Sequence, residues 1–234
     1  MNGDTVLKDI LWSGHFPLAD FRKKIVDLKP GQVEGRRRVL IKPIFKLHLE
    51  SVISLYTWIG FILKRMDIIL SKSLEEEFPS QIHYLNIDIM SFIVFCHIMM
   101  DKIARLFDYL LWGQSKPKTR DFRRFKDDIS NYTGNKLEDL KKIIEKISWY
   151  KEFDDVRDDP IVHKGYHQSA LQRMGKRIGI ILGHINGNGK YHENFYSDIE
   201  IKKLSINILK FLADINNFLC ENFDFIPLEV KLKE

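Results

Sequence analysis

Two stretches of this chain carry apolar side chains around nearly their whole circumference, and the centre of a helical bundle is the setting that accepts such segments. From about Lys42 to Ser73, Leu47, Val52, Leu55, Ile59, Ile62, Met66 and Ile69 fall on nearly every face of a helix, with Pro43 suited to its first turn. A second long helix is expected from between Ser80 and Asp88 to Trp112, closed by Gly113 as a C-cap. Two helices of this length make the frame of a bundle. The densest apolar runs, Ser51 to Leu63 and Ile89 to Met100, fall short of the roughly 18 to 20 residues that a membrane span needs, so both read as core helices.

The rest of the pattern fits that frame. Residues 1–41 mix aromatics with turn residues and read as an irregular N-terminal extension with one possible short helix, Leu18 to Leu28; Pro30, Gly31 and Gly35 separate it from the triplet Arg36, Arg37 and Arg38. Residues 42–234 are expected to form one bundle domain, for which a hydrophobic content of 44% supplies a core. A polar connection over 114–135 holds a short helix, Arg120 to Ser130. A third long helix starts with Asn135 as N-cap and Glu138 three residues on, and carries Leu137, Leu140, Ile144, Ile147 and Lys151 on one stripe, with Ile143 and Tyr150 beside it. It stops near Asp158, because Pro160 biases Asp159 away from helical backbone. RIGIILGHI and KYHENFY flank NGNG, the pattern of a β-hairpin over about 177–196, the only expected sheet. The last helix begins at a Ser197 cap with Glu200 in the box position and buries Ile201, Leu204, Ile208, Phe211, Leu212, Ile215 and Leu219. The fold class is therefore mainly all-α, an up-and-down bundle of four to five core helices with a small hairpin insertion.

A formal charge of +5, from 37 basic and 32 acidic residues, is a weak vote for a polyanionic partner. Cys96 and Cys220 lie far apart inside apolar helical patterns, which fits free buried thiols of a reducing, cytoplasmic compartment. No secretory signal is expected, since no basic segment followed by an apolar core opens the chain.

The chemistry concentrates in VRDDPIVHKGYH, residues 156–167. Arg157, Asp158 directly after it and His163 after five intervening residues match the R-x(4 to 6)-H signature, and in a chain that reads as a helical bundle this resembles the HEPN superfamily, whose all-α domains include many prokaryotic ribonucleases. The resemblance spans 157–163 as a motif and roughly 42–220 as architecture. It implies a metal-independent endoribonuclease without cofactor, paired as a homodimer so that two motifs build one composite cleft. It also implies RNA as substrate and a toxin or phage-defence setting with an antitoxin or regulatory protein. Arg157 and His163 would be catalytic, with Asp158 orienting the arginine or contacting RNA. The residues suit the task. Histidine exchanges protons near neutral pH, and arginine, always charged, stabilises charge building on phosphorus. Residues six apart lie about 240° around a continuous helix, so the break at Pro160 lets His163 fold back towards Arg157. Two departures stand out. The pattern does not demand Pro160, and Gly165 occupies the place where a tyrosine follows the histidine in HEPN toxins paired with nucleotidyltransferase antitoxins, so that regulatory modification is not carried over.

Blander and rival readings share the segment. Arg157 can pair with Asp154 or Asp158 or cap carbonyls at a helix end, and His163 can be structural. Asp154, Asp155, Asp158 and Asp159 form a DDxxD pattern that resembles the magnesium site of all-α isoprenyl diphosphate synthases, but Asp127 and Asp128 do not complete a second cluster. His163, His167, His184 and His192 imitate a zinc or iron site without an HExxH to complete it. No nucleophile elbow supports a hydrolase triad. For RNA contact, Lys116, Lys118, Arg120, Arg123, Arg124 and Lys126 interleave with Phe122 and Phe125, where the arginines would bind phosphates and an exposed ring would stack on a base; alternatively both rings pack inward.

Overall fold

A computed structural model describes residues 16–75, 82–113, 121–150, 168–174, 177–185 and 191–233. The fold is mainly α, as the sequence predicts. Helices α1 (Ala19–Val26), α2 (Pro43–Glu75), α3 (Ile82–Trp112), α4 (Phe122–Ile129), α5 (Leu137–Glu145) and α6 (Asp198–Glu221) are joined by short 3-10 turns and two small sheets. Gly113 closes α3 in left-handed backbone (φ 63°), its N–H bonding to the Tyr109 carbonyl at 2.9 Å.

The chain divides into two compact units. One takes in Thr57–His97 and Trp149–Asn207, the other Lys8–Tyr56, Ile98–Ser148 and Ile208–Glu234. Residues from the expected extension, Phe21, Ile25, Val39 and Leu40, are fully buried core of the second unit.

That second unit is held by aromatic packing. Phe45 meets both Phe21 and Tyr109 edge to face, at 6.5 and 6.1 Å, and Phe122 meets Phe211 at 6.0 Å. Beside them a two-stranded sheet pairs β1 (Tyr132–Thr133) with β5 (Lys231–Leu232), a second sheet that the strand pattern did not reveal because each strand is only two residues long. Gly134 follows β1 so tightly against the Glu229 carbonyl that a Cβ would collide with it.

The third helix also departs from expectation. It does not run unbroken from 135 to 158: α5 ends at Glu145, Lys146 caps it, and the Ile147 N–H turns back to the Ile144 carbonyl at 3.2 Å. Helical backbone resumes at Trp149, with Ser148, a natural N-cap type, just before it. Ile147 remains buried on the expected stripe, so the break keeps the apolar side inward. Asn135 is not the cap of α5 either. Lys136 occupies that position without a side-chain cap bond, and Glu138 pairs instead with the buried Lys141 at 2.8 Å. The Lys141 Nζ also donates to the Tyr132 carbonyl, tying α5 to β1.

In the first unit, β3 (Arg177–Ile185) and β4 (Tyr191–Ser197) form the expected antiparallel hairpin, closing at Ile185 opposite Tyr191. A third strand, β2 (Gln168–Met174), pairs antiparallel along the other edge of β3. The two long helices of this unit are tied by an ion pair the sequence reading did not foresee. The Asp88 carboxylate on α3 is fully buried, and the Arg65 guanidinium on α2 grips it with both Nε, at 2.8 Å, and Nη2. On the other side of α2, Lys202 of α6 pairs with Asp67 at 3.1 Å.

Candidate functional site

The motif residues Arg157, Asp158 and His163 lie outside the described residues, as do Lys116, Lys118 and Arg120. So do the acidic quartet Asp154, Asp155, Asp158 and Asp159 and the pair His163 and His167. The described chain brackets the motif: helical backbone at Trp149 and Tyr150 before it, and β2 from Gln168 after it. Tyr150, six residues short of the motif segment, is anchored. Its hydroxyl and the Nε2 of His97 on α3 are 3.3 Å apart, both residues are buried, and the ring centroids are 6.0 Å apart. A buried histidine and a buried tyrosine satisfying one another fix where the chain leaves the core before residue 151.

The basic segment resolves in part. α4 opens with Asp121 as N-cap, its carboxylate accepting the Arg124 N–H at 2.8 Å, and Asp101 of α3 accepts the Phe122 N–H at 3.1 Å. Arg123 and Arg124 project into solvent, while Lys126 is half-buried. Phe122 and Phe125 point the other way and are completely buried, with Phe125 stacked on Phe107 at 5.3 Å. Base stacking by these two rings is therefore overturned: three residues apart, both fall on the apolar side of a one-sided helix. What α4 offers a phosphate is Arg123 and Arg124 beside two carboxylates, a much-reduced positive field.

The triplet at 36–38 is likewise spent partly on structure. Arg36 donates to the Leu111 carbonyl and Arg37 to the Phe223 carbonyl, each at 3.4 Å; Arg37 also lies over the Phe223 ring and 3.6 Å from Asp224. Both arginines border an open cleft of about 440 Å3 whose other charged walls are Lys136, Glu34, Asp224 and Glu229. Three cations face three carboxylates, so the cleft has no net sign with which to draw a polyanion. Its exposed ring is Phe225, with the Lys136 ammonium 5.5 Å from the ring centroid. A composition search misses this cleft because its charges come from segments far apart in sequence.

Other titratable groups are shaped by burial. His48, on α2 against Tyr109, is held below the usual histidine range by burial first and by Lys102 and Arg105 second, and its Nδ1 lacks a hydrogen-bond partner. Burial pushes the Tyr56 phenol up to about 12 and the Cys96 thiol well above its ordinary value. Cys96 and Cys220 are free, and burial raises the Cys220 thiol as well, so neither is an activated thiolate. Among the described residues no three or more His, Cys, Asp or Glu gather in a group suited to a metal ion. The sheet register does set His184 opposite His192. No described helix is long and apolar enough to cross a membrane. Compared with protein-family models, with curated proteins and with solved structures, the chain matches none.

Proposed function

We propose that this chain is a metal-independent endoribonuclease of HEPN type. His163 exchanges protons with the attacking ribose 2′-hydroxyl and the leaving oxygen, Arg157 stabilises the charge that builds on phosphorus, and Asp158 orients the arginine. The observation that carries the reading is the spacing of Arg157 and His163, just downstream of a helical segment that begins at Trp149, in a mainly α chain. RNA is the substrate, approached by a chain of net charge +5, and the working protein is a cytoplasmic homodimer with a composite site. A toxin or phage-defence role, with an antitoxin or regulatory protein as partner, belongs to the same reading.

A second reading is a catalytically silent HEPN-like protein that binds nucleotide, RNA or a partner protein. Its nucleotide- or protein-binding form is favoured by the carboxylates of Asp101 and Asp121 at the head of α4 and by the inward packing of Phe122 and Phe125, which leave little RNA platform there. Cleavage of single-stranded RNA in EDTA separates the two. The nuclease is expected to leave 2′,3′-cyclic phosphate ends, and Arg157→Ala and His163→Ala are each expected to abolish cleavage with helical content unchanged by circular dichroism. Undiminished cleavage in either variant sinks the nuclease assignment. Activity that disappears on chelation moves it to a metal mechanism, and no cleavage of any RNA tried favours the silent protein.

A further inference from the structure

His48 is a buried titratable group that plays no part in the ribonuclease chemistry. It lies on α2 with 6% of its surface exposed, its ring centroid 6.0 Å from that of Tyr109 on α3. Its Nδ1 is enclosed and has no hydrogen-bond partner. A buried polar atom left unpaired costs stability and calls for a reason. Leucine would fill the same place without that cost. What imidazole adds is a proton exchanged near neutral pH.

The reason lies one and two turns back along α3. Lys102, Arg105 and Tyr109 step three and four along that helix, so both cations stand on the side of α3 that His48 faces, their Cβ atoms about 5–6 Å apart. Both side chains are half-buried, and both act electrostatically on the imidazole. Half-buried basic groups ordinarily end on a carboxylate. Among the described residues, neither of these two forms an ion pair or a hydrogen bond. The neighbouring acids lie out of their reach. Glu50 of α2 pairs with Arg22 at 2.6 Å, and Asp101 accepts the Phe122 N–H at 3.1 Å. Asp108 is enclosed beside Tyr109, whose phenol is pushed up by burial and then by this carboxylate. Two permanent charges of one sign thus flank a buried histidine, all within the second unit, without a counter-charge in ion-pair reach among the described residues.

Charge and shape decide what fits. Two cations match a dianion, and a guanidinium fork with an ammonium one turn away suits tetrahedral oxygens. A terminal phosphate carries close to two charges at neutral pH, whereas each phosphodiester of RNA carries one. We infer that Lys102 and Arg105 hold a terminal phosphoryl group, of free phosphate or a phosphate monoester, beside the His48 imidazole. The site uses none of Arg157, Asp158 and His163, so it stands or falls separately from the ribonuclease reading. Occupation also bears on the histidine. Burial first, then Lys102 and Arg105, hold empty-site His48 below its ordinary range, and a dianion offsets the two cations and raises it. By reciprocity, affinity for the anion rises as pH falls.

Nuclear magnetic resonance of the full chain tests this, with sulfate as the probe because it keeps both charges across the pH range. Sodium sulfate should shift the His48 imidazole signals saturably, raise the pH at which they titrate, and bind more tightly at about pH 5.5 than at about pH 7.5. Sodium chloride of equal ionic strength should do none of this. His48→Gln identifies those signals by their loss, and it should abolish the pH dependence of sulfate binding followed on the α3 amides. Lys102→Gln and Arg105→Gln should keep the helical content and each weaken sulfate at least about tenfold, the loss of one charge-assisted contact. At about pH 7.5, adenosine monophosphate should bind at least about tenfold more tightly than adenylyl-adenosine, whose single phosphate is a diester. Shifts that chloride reproduces overturn the proposal. So does sulfate affinity indifferent to both cation variants, a pH dependence that survives His48→Gln, or a diester bound as tightly as the monoester.

Discussion

Phe125 separates a core role from a nucleic-acid role by a wide margin. The ring is completely buried, stacked on Phe107 with centroids 5.3 Å apart and an interplanar angle of 10°, and it touches Phe122 at 6.0 Å. Truncating a buried phenylalanine to alanine costs about 3–5 kcal/mol in lost transfer energy and cavity, and two ring neighbours put Phe125→Ala near the middle, at about 4 kcal/mol. For a chain of this size, a loss of about 1 kcal/mol lowers the melting midpoint by about 2–4 °C, so the expected fall is about 8–16 °C. The assay is a thermal melt and a urea titration followed by circular dichroism, with the urea midpoint falling and the slope unchanged. Arg124→Ala, on the solvent side of the same helix, should stay within about 0.5 kcal/mol of wild type. Should Phe125→Ala remain within about 1 kcal/mol of wild type while RNA affinity drops, the ring is stacking on a base and its assignment to the core is refuted.

Two further outcomes follow from buried charge. Arg65→Met leaves the fully buried Asp88 carboxylate without its guanidinium, and it should cost about 2–3 kcal/mol, less than a wholly enclosed pair because the Arg65 end is half in water; the double variant Arg65→Met/Asp88→Leu should recover most of that loss in the same urea titration. A single variant as stable as wild type would show that water solvates Asp88 after all. His48 sets a pH dependence: its folded pKa lies below the unfolded value of 6.5, so the unfolded chain binds more protons, and the stability this neutral histidine contributes is present above 6.5 and lost as pH falls through the lowered folded value. The urea midpoint should therefore decline from about pH 7.5 to about pH 5.5. His48→Leu should flatten that decline, and a slope unchanged in this variant would assign it elsewhere.

What was legible in the sequence follows the range of the interactions involved. α2 begins within about one residue, and α3 ends at the residue, where their patterns place them, because Pro43 at a first turn and Gly113 at a C-cap act through the adjacent backbone; the start of α3, without such a signal, was placed only between Ser80 and Asp88. The hairpin was legible for the same reason, since its turn signal sits between its own strands. The break at Lys146 to Ser148 was not. Ile147 continues the apolar stripe across it, and a stripe records which side faces the core without recording whether the backbone hydrogen bonds continue. β1 and β5 escaped because their pairing joins residues a hundred positions apart through two residues each. The candidate site divides along the same line. Arg157 and His163 stand out by local spacing, whereas the cleft bordered by Arg36, Lys136 and Asp224 exists only once three distant segments meet.

The reading of α2 as apolar all round contains a further lesson about periodicity. Val52, Ile59, Ile62 and Met66 face the core, while Leu47, Trp58 and Phe61 face solvent, so two separate apolar surfaces on one helix merged into a single pattern without a polar face. A window average cannot tell one wide face from two narrow ones, because both raise the mean and flatten the moment. The expectation that α2 is a central helix buried on nearly every face is thus corrected: Ile44, Leu47, Trp58, Phe61 and Ile68 stand in solvent. The described residues cover one of its two apolar surfaces, around Val52, Ile59 and Met66, and leave Leu47, Trp58 and Phe61 in solvent.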